Sequence, residues 1–284
     1  MKGIVKIILL LILLIGCTSQ EKQPEDIARL FFSEDTTGIS KYLCCDMIKE
    51  PDEEYQKLLD SMESNMQKPD GYPDIETELV QKSDSEVVVA VNLTLDTITE
   101  DAYLFFKLDN GWKLEAVRAL AYTGLYVQLI KEYESSSQDD IDKFMKMDMH
   151  YDIRKMYYQS KLIVSSDREL IEHQRNNKEL FNNLLREVKS SMKPGDEYNA
   201  DKSDSLQSIF ELSNKLLISQ IYRDINSPID IKTPGITYFL IGGVLDNTAG
   251  YMYIENDKEI PKMSKNGFII IREIGEGWYF YKTT

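Results

Sequence analysis

The sequence contains few of the residues from which metal and catalytic sites are most often built. Its 284 residues include three Cys and two His. A structural zinc site uses about four Cys or His ligands at short, regular spacing. His150 and His173 stand far apart, however, and neither has a Cys beside it. The sequence therefore predicts no metal site, and no motif in it predicts a bound cofactor.

Basic residues are also scarce, since 33 Lys and Arg stand against 48 Asp and Glu and the net charge is −15. Nucleic-acid binding needs a Lys- and Arg-rich surface that releases the counterions of the phosphate backbone. Electrostatic adhesion to anionic lipids needs a similar surface. We therefore expect no nucleic-acid partner and no membrane contact through charge. A hydrophobic fraction of 42%, with only eight Pro and 14 Gly, predicts a folded chain rather than a low-complexity one.

The amino terminus has the layout of a secretory signal peptide. Lys2 and Lys6 provide a positive start, and an unbroken apolar run follows from Ile7 to Ile15. That run is shorter than the roughly 20 apolar residues that a transmembrane helix needs. We therefore expect residues 1–16 to be a signal peptide.

The apolar run closes with Leu14-Ile15-Gly16-Cys17, which resembles the bacterial lipobox. In that motif, small or apolar residues precede an obligatory Cys whose thiol becomes a diacylglyceryl thioether. The resemblance implies a bacterial lipoprotein that carries fatty acyl chains such as palmitate on Cys17, with residues 17–24 as a polar tether. The alternative is an ordinary secretory signal that ends in a Cys by chance.

Acylation of Cys17 would fix the cellular address of the chain. Each buried methylene contributes about 0.8 kcal/mol, so two or three acyl chains hold a protein stably at a membrane. Thr18 replaces the Asp that often retains lipoproteins in the inner membrane. We therefore expect a cell-envelope protein, placed in the outer membrane of a Gram-negative host and otherwise on the outer face of the plasma membrane.

The other two cysteines, Cys44 and Cys45, are adjacent in the sequence. A disulfide between neighbouring residues is strained, and no third thiol remains to pair with either one if Cys17 is acylated. We interpret them as two small buried side chains.

The spacing of apolar residues in 25–118 predicts short helices followed by an antiparallel sheet. Apolar residues recur at helical spacing first, and a period of two replaces it from Val87 onward, where Val87 to Leu95 is typical of a half-buried strand. The predicted helices cover Pro24–Phe32, Ile39–Met47 and Asp52–Met66. The other predicted strands are an edge strand over Ile75–Gln81 and a hairpin of Tyr103–Leu108 and Trp112–Val117 that turns at Asn110-Gly111.

This order of elements resembles a known superfamily of small domains. The early Pro-Glu-Asp-Ile-Ala-Arg-Leu-Phe-Phe helix and the late Gly111-Trp112 strand resemble lipoprotein domains of the nuclear-transport-factor-like superfamily. The resemblance implies a cone over residues 25–118, in which a curved antiparallel sheet wraps a helix. Enzymes of that superfamily carry a polar cluster with His inside the cone. This segment contains no His, which favours a structural or binding version.

The pattern of residues 119–284 predicts a helical middle followed by a second antiparallel sheet. We therefore expect the whole chain to be of α+β class. Ser166 and Glu169 have the spacing of a capping box. The predicted helices run through Ala119–Met192 and again over Ser203–Tyr222. The predicted strands are Ile236–Leu245, Gly250–Ile254, Phe268–Ile274 and Trp278–Lys282.

Two aromatic strands are candidates for a binding surface. Tyr251 and Tyr253 share one face of their strand, and Tyr279 and Tyr281 share one face of theirs. If the strands are neighbours, the four rings could form a stacking platform for a glycan or a peptide. The alternative is that helices cover this face and the tyrosines belong to the core.

The sequence contains no phosphate-binding loop, no nucleophile elbow and no zinc-protease helix. Together with the lipobox, this favours a non-catalytic binding or assembly role at the membrane, with an envelope protein or a glycan as partner. The alternative is an envelope hydrolase that uses His150 or His173 as a base with acidic partners supplied by the fold. His173 stands beside Glu172 and Arg175, which suggests a polar helix face.

Overall fold

A computed structural model describes the chain over seven segments, which are 22–44, 71–96, 98–121, 123–147, 152–199, 206–224 and 233–284. Several predictions fall outside these residues. They concern the signal peptide, Cys17, Cys45, His150 and the helix over Asp52–Met66.

The described residues form α-helices and two antiparallel sheets, which confirms the α+β class. The helices are α1 (Pro24–Phe32), α2 (Thr123–Ser135), α3 (Gln138–Met147), α4 (Ile153–Ile163), α5 (Asp167–Asn176), α6 (Lys178–Ser191) and α7 (Gln207–Leu216). The first sheet contains β1 (Asp74–Lys82), β2 (Glu86–Leu95), β3 (Ile98–Leu108) and β4 (Trp112–Arg118). The second contains β5 (Glu197–Asn199), β6 (Gln220–Arg223), β7 (Ile236–Val244), β8 (Asn247–Ile254), β9 (Phe268–Gly275) and β10 (Trp278–Thr283). Among the described helices, none is long and apolar enough to cross a membrane.

The first sheet is a meander in the order β1-β2-β3-β4, with β1 at an edge as predicted. Asn110 and Gly111 both have positive φ, which confirms the predicted hairpin turn between β3 and β4. The stretch that was predicted helical from Ile39 is a short 3₁₀ turn through Tyr42. It ends there because Leu43 forms a bridge with Leu114 on β4.

Both faces of β2 are buried from Val87 to Val91, so the prediction of a half-buried strand is wrong for that part. Helix α1 packs Ile27 and Ala28 against one face, where they meet Val87, Val89 and Val91 in a shared core. The opposite face contributes Val88 and Ala90 to the larger core of the molecule. The alternation of polar and apolar residues begins only at Asn92, which is why the first half of β2 has no side that favours water.

The second sheet has the strand order β5-β6-β7-β8-β10-β9, and every neighbouring pair is antiparallel. The four predicted strands are confirmed as β7, β8, β9 and β10, but the predicted helix over Ser203–Tyr222 is too long. Helix α7 ends at Leu216, where Leu217 adopts a left-handed conformation. The chain then becomes β6, in which Ile221 pairs opposite Phe239 of β7. Burial of Ile221 in the sheet outweighs its helical spacing.

Helices and both sheets share the larger core. Phe181 of α6 contacts the rings of Tyr251 and Trp278 on one face of the second sheet. Tyr103 of β3 belongs to the same core from the first sheet. The two sheets are therefore joined by a continuous apolar interior, and their polar contact lies at one edge of it.

Candidate functional site

Five buried or half-buried polar side chains meet where the two sheets and α5 come together. We call this set the central ion cluster, and its members are Asp101 and Tyr103 of β3, Asp167 of α5, Arg272 of β9 and Lys282 of β10. The predicted capping box fixes the helix end of the cluster. The Ser166 hydroxyl accepts a hydrogen bond from the Glu169 amide, and the Glu169 carboxylate accepts one from the Ser166 amide.

Asp167 is the centre of the cluster, and both of its carboxylate oxygens are occupied. Oδ1 accepts hydrogen bonds from the Tyr103 hydroxyl at 2.6 Å and from Lys282 Nζ at 2.9 Å. Oδ2 accepts one from Arg272 Nε at 3.0 Å. Only 7% of the Asp167 side chain and 5% of the Lys282 side chain are exposed. This pair is therefore a buried salt bridge rather than a surface one.

Asp101 supplies the second carboxylate of the cluster. Its Oδ2 accepts a hydrogen bond from the Asp167 amide at 2.7 Å and lies 3.5 Å from Lys282 Nζ. Its Oδ1 accepts a hydrogen bond from the side-chain Nδ2 of Asn92 at 3.0 Å. One lysine thus lies between two aspartates, and the shorter contact is to Asp167.

The two aspartates have pKa values shifted in opposite directions. Burial raises the pKa of Asp101, and the neighbouring charge of Asp167 raises it further against the opposing attraction of Lys282. Burial also disfavours charge on Asp167, but Lys282, the Tyr103 hydroxyl and Arg272 together outweigh it, and the pKa of Asp167 is lowered. Asp167 is therefore the charged partner of Lys282, and Asp101 is the more readily protonated of the two.

A polar cleft of about 550 Å³ opens beside the cluster. Strand β1 and helix α5 both contribute to its lining, together with Asn92 of β2 and Asp101 of β3. Arg272 reaches Glu78 of β1, with Nη1 and Oε2 2.5 Å apart. We call this space the cleft. Its lining carries charges of both signs, namely Glu76, Glu78, Asp101, Asp167 and Glu172 with Arg168, Arg175 and Arg272.

The acidic side chains of the cleft do not form a metal site. Among the residues that the structure describes, no group of three His, Cys, Asp or Glu side chains is arranged to hold a metal ion. Arg272 and Lys282 occupy the oxygens that a cation would need.

The four candidate tyrosines do not form one exposed platform. Strands β8 and β10 are neighbours, but their register pairs Tyr251 with Phe280 and Tyr281 with Gly250. Because paired residues share a face, the two tyrosine pairs lie on opposite faces of the sheet. Tyr251, Tyr279 and Tyr281 are buried, and the Tyr251 hydroxyl donates to the Leu170 carbonyl of α5. Only Tyr253 is partly exposed, and Lys189 lies over its ring. The alternative interpretation, in which helices cover the face, applies to Tyr251.

His173 lies on α5 but not on a solvated face, which corrects the prediction from its sequence neighbours. Its ring contacts Phe181 at 6.1 Å and Tyr251 at 6.2 Å between centroids. Burial lowers the pKa of His173, against an opposing hydrogen bond with the backbone of Leu216. Within the described part of the chain, its buried Nε2 has no hydrogen-bond partner. His173 packs as an aromatic side chain at the edge of the core.

Cys44 is buried at the end of the first described segment, as interpreted from the sequence. Its amide donates to the Leu114 carbonyl at 2.9 Å, which ties this part of the chain to β4.

None of the five residues of the central ion cluster was predicted as a site from the sequence. One signal was present, because Trp278, Phe280 and Lys282 alternate and so share a face of β10. A lysine on a face that is otherwise aromatic and buried needs a buried acidic partner. The identity of that partner depended on tertiary contacts across 115 and 181 residues.

Searches of protein-family models, curated proteins and solved structures returned no match for this chain.

Replacing Lys282 with Met should strongly destabilise the fold, because it leaves two buried aspartates with less compensating charge. We expect the free energy of unfolding to fall by about 3–5 kcal/mol in urea denaturation at pH 7. Lys262→Met is the matched control, since Lys262 pairs with Glu86 on the surface and its loss should cost about 0–1 kcal/mol. Equal losses in the two variants would contradict a buried role for Lys282.

The two aspartates should contribute to stability with opposite dependence on pH. The pKa of Asp167 is lowered from its ordinary 3.8, so its stabilising charge is present above that value and is lost on acidification. Asp167→Asn should therefore cost more at pH 7 than at about pH 3. The pKa of Asp101 is raised, so Asp101→Asn should cost less at pH 7 than at about pH 3. Urea titrations across this range measure both trends, and trends of the same sign would contradict the assignment.

Proposed function

We propose that this chain is a lipid-anchored cell-envelope protein whose non-catalytic role is to bind a polar ligand in the cleft. The observation that carries this proposal is the cleft itself, a cavity of about 550 Å³ with charges of both signs at the junction of two sheets and a helix. Ligand sites in proteins favour such junctions. The anchor rests on the lipobox at Cys17, which leaves the folded part close to the membrane surface.

The location follows from the anchor. In a Gram-negative host the protein belongs to the outer membrane, and otherwise to the outer face of the plasma membrane. An envelope protein or a glycan is the partner class that this address favours. The partner, or a fragment of it, would reach the cleft from the compartment in which the folded part of the chain lies.

The contacts of the cluster favour binding over hydrolysis. Each carboxylate oxygen of Asp167 already accepts hydrogen bonds from Tyr103, Lys282 or Arg272. Such a carboxylate is held in place and has little freedom to act on a substrate. The hydrolase alternative relied on His150 or His173. The ring of His173 lies beside both Phe181 and Tyr251, so the ring contacts that it makes are aromatic.

The anchor is tested by Cys17→Ala in cells that are fed a labelled fatty acid. We expect the wild-type chain to incorporate the label and Cys17→Ala to lose it, because the acylated thiol is gone. Cys45→Ala is the control for acylation at another thiol and should keep the label. Retained label in Cys17→Ala would contradict the anchor.

The binding role is tested by the molecules that the tethered protein retains. The full chain is extracted from its native membrane in detergent, and mass spectrometry identifies what denaturation releases. A variant with Glu172→Gln and Arg175→Gln should retain at least about tenfold less of the ligand, the effect of losing one charged contact of about 1.4 kcal/mol. The matched control neutralises Glu179 and Arg186, which are exposed on α6 outside the cleft lining. The proposal fails if the cleft variant and the control retain the same molecules in the same amounts.

A further inference from the structure

A second polar cavity lies next to the cleft, and the Glu76–Arg168 ion pair lines both. The second cavity has a volume of about 410 Å³. Glu76, Asn92 and Arg168 line both spaces. Arg168 of α5 and Glu76 of β1 face each other at 3.7 Å between Nη2 and Oε2. Moving these two side chains apart would join the cavities into one elongated groove between helix and sheet.

The ion pair between Arg168 and Glu76 is weak. The Arg168 and Glu76 side chains are 76% and 73% exposed. An ion pair so open to water is screened, and holding two long side chains in one geometry costs conformational entropy. The ion pair between Glu78 of β1 and Arg272 is less accessible to water, because Arg272 is 19% exposed and binds both Glu78 and Asp167. A ligand can therefore displace the outer pair and leave the inner one in place.

The groove presents charges of both signs, because Glu172 stands beside the arginines of α5 and Arg272 reaches Glu78 of β1. Glu76 lies on β1, while Arg168 and Arg175 lie seven residues apart on α5 and so share a helix face. Seven residues of helix span about 10 Å. Three of the eight arginines of this acidic chain line the cleft. A purely anionic ligand would meet Glu76, Glu78 and Glu172, and a purely cationic one would meet these arginines. The lining suits a ligand with one charge of each sign.

The rest of the lining suits amide groups. Asn92 lines both cavities, and Thr94 and Thr99 bring hydroxyl groups into the second one. Amide and hydroxyl side chains can donate to and accept from peptide groups. An extended peptide covers about 3.4 Å per residue, so the spacing of the two arginines matches about three residues.

We propose that the groove binds a short peptide of two to four residues with free amino and carboxyl ends. This inference rests on the proposed function and names the ligand class of the same site. The ammonium group takes the place of Arg168 at Glu76. The carboxylate binds Arg175, about 10 Å further along α5. Binding thus exchanges one exposed ion pair for two charge-assisted contacts with the ligand.

The test measures binding of trialanine to the full chain in detergent by isothermal titration calorimetry. Three capped forms are matched probes, which are N-acetyl-trialanine, trialanine amide and the doubly capped peptide. We expect free trialanine to bind and each single cap to weaken binding at least tenfold. We expect the doubly capped peptide to bind most weakly, because both charged contacts are gone.

Variants of Glu76 and Arg175 test which end of the peptide each of these side chains binds. Glu76→Gln should weaken binding of free trialanine but leave N-acetyl-trialanine unchanged, because the contact that it removes is already absent. Arg175→Gln should weaken free trialanine more than it weakens the amide. Arg186→Gln is the control for arginine loss outside the groove and should bind like the wild type. Thermal unfolding of each variant checks that the fold is retained.

Two results would overturn the inference. One is equal binding of the free and doubly capped peptides, and the other is an equal effect of Glu76→Gln on the free and N-acetylated peptides. If trialanine does not bind but the native protein still retains a ligand that depends on Glu172 and Arg175, the inference fails and the proposed function stands. If neither trialanine nor a retained ligand depends on the groove, both fail.

Discussion

The buried contact between Lys282 and Asp167 is the interaction on which the arrangement of this protein depends. A lysine so deeply buried stays charged only beside a carboxylate, and an isolated one would cost several kcal/mol. Asp167 meets this need because the capping box holds the first turn of α5 in place. The same carboxylate binds Tyr103 of β3. One aspartate therefore fixes a helix and a strand from each sheet relative to one another.

The position of the cleft follows from this constraint. Because Asp167 is the first residue of α5, the helix begins at the cluster, and its Arg168 and Arg175 line the cleft together with Glu76 and Glu78 of β1. The inner charges have fixed partners and determine how the parts fit together. The outer charges are solvated and can change partners. The two arginine–glutamate pairs from β1 thus have separate roles. Arg272 keeps its contacts with Glu78 and Asp167, whereas Arg168 can release Glu76 to a ligand.

Most of the architecture could be predicted from local patterns, whereas the charged site could not. The period of two in Trp278 to Lys282 and the capping spacing at Ser166 each depend on neighbouring residues, and both predictions were confirmed. The face of a strand that is covered depends on distant elements, which is why the burial of Val88 was missed. The strand register likewise determines on which face of the sheet each tyrosine lies. A shift of one position between β8 and β10 moves a ring to the other side of the sheet, and no local signal sets that shift.

The cluster also constrains the order in which the fold can form. A chain that emerges amino terminus first presents Asp101 and Asp167 long before Lys282, which lies 181 and 115 residues later. Until β10 arrives, both aspartates lack their lysine, and the Val88 face of the first sheet lacks the core that covers it. Contacts so distant in sequence form slowly, because closing the intervening chain costs entropy before it yields stability. The early part of the chain consequently remains incompletely packed until its last strand has folded, and β10 then supplies the lysine that both aspartates contact.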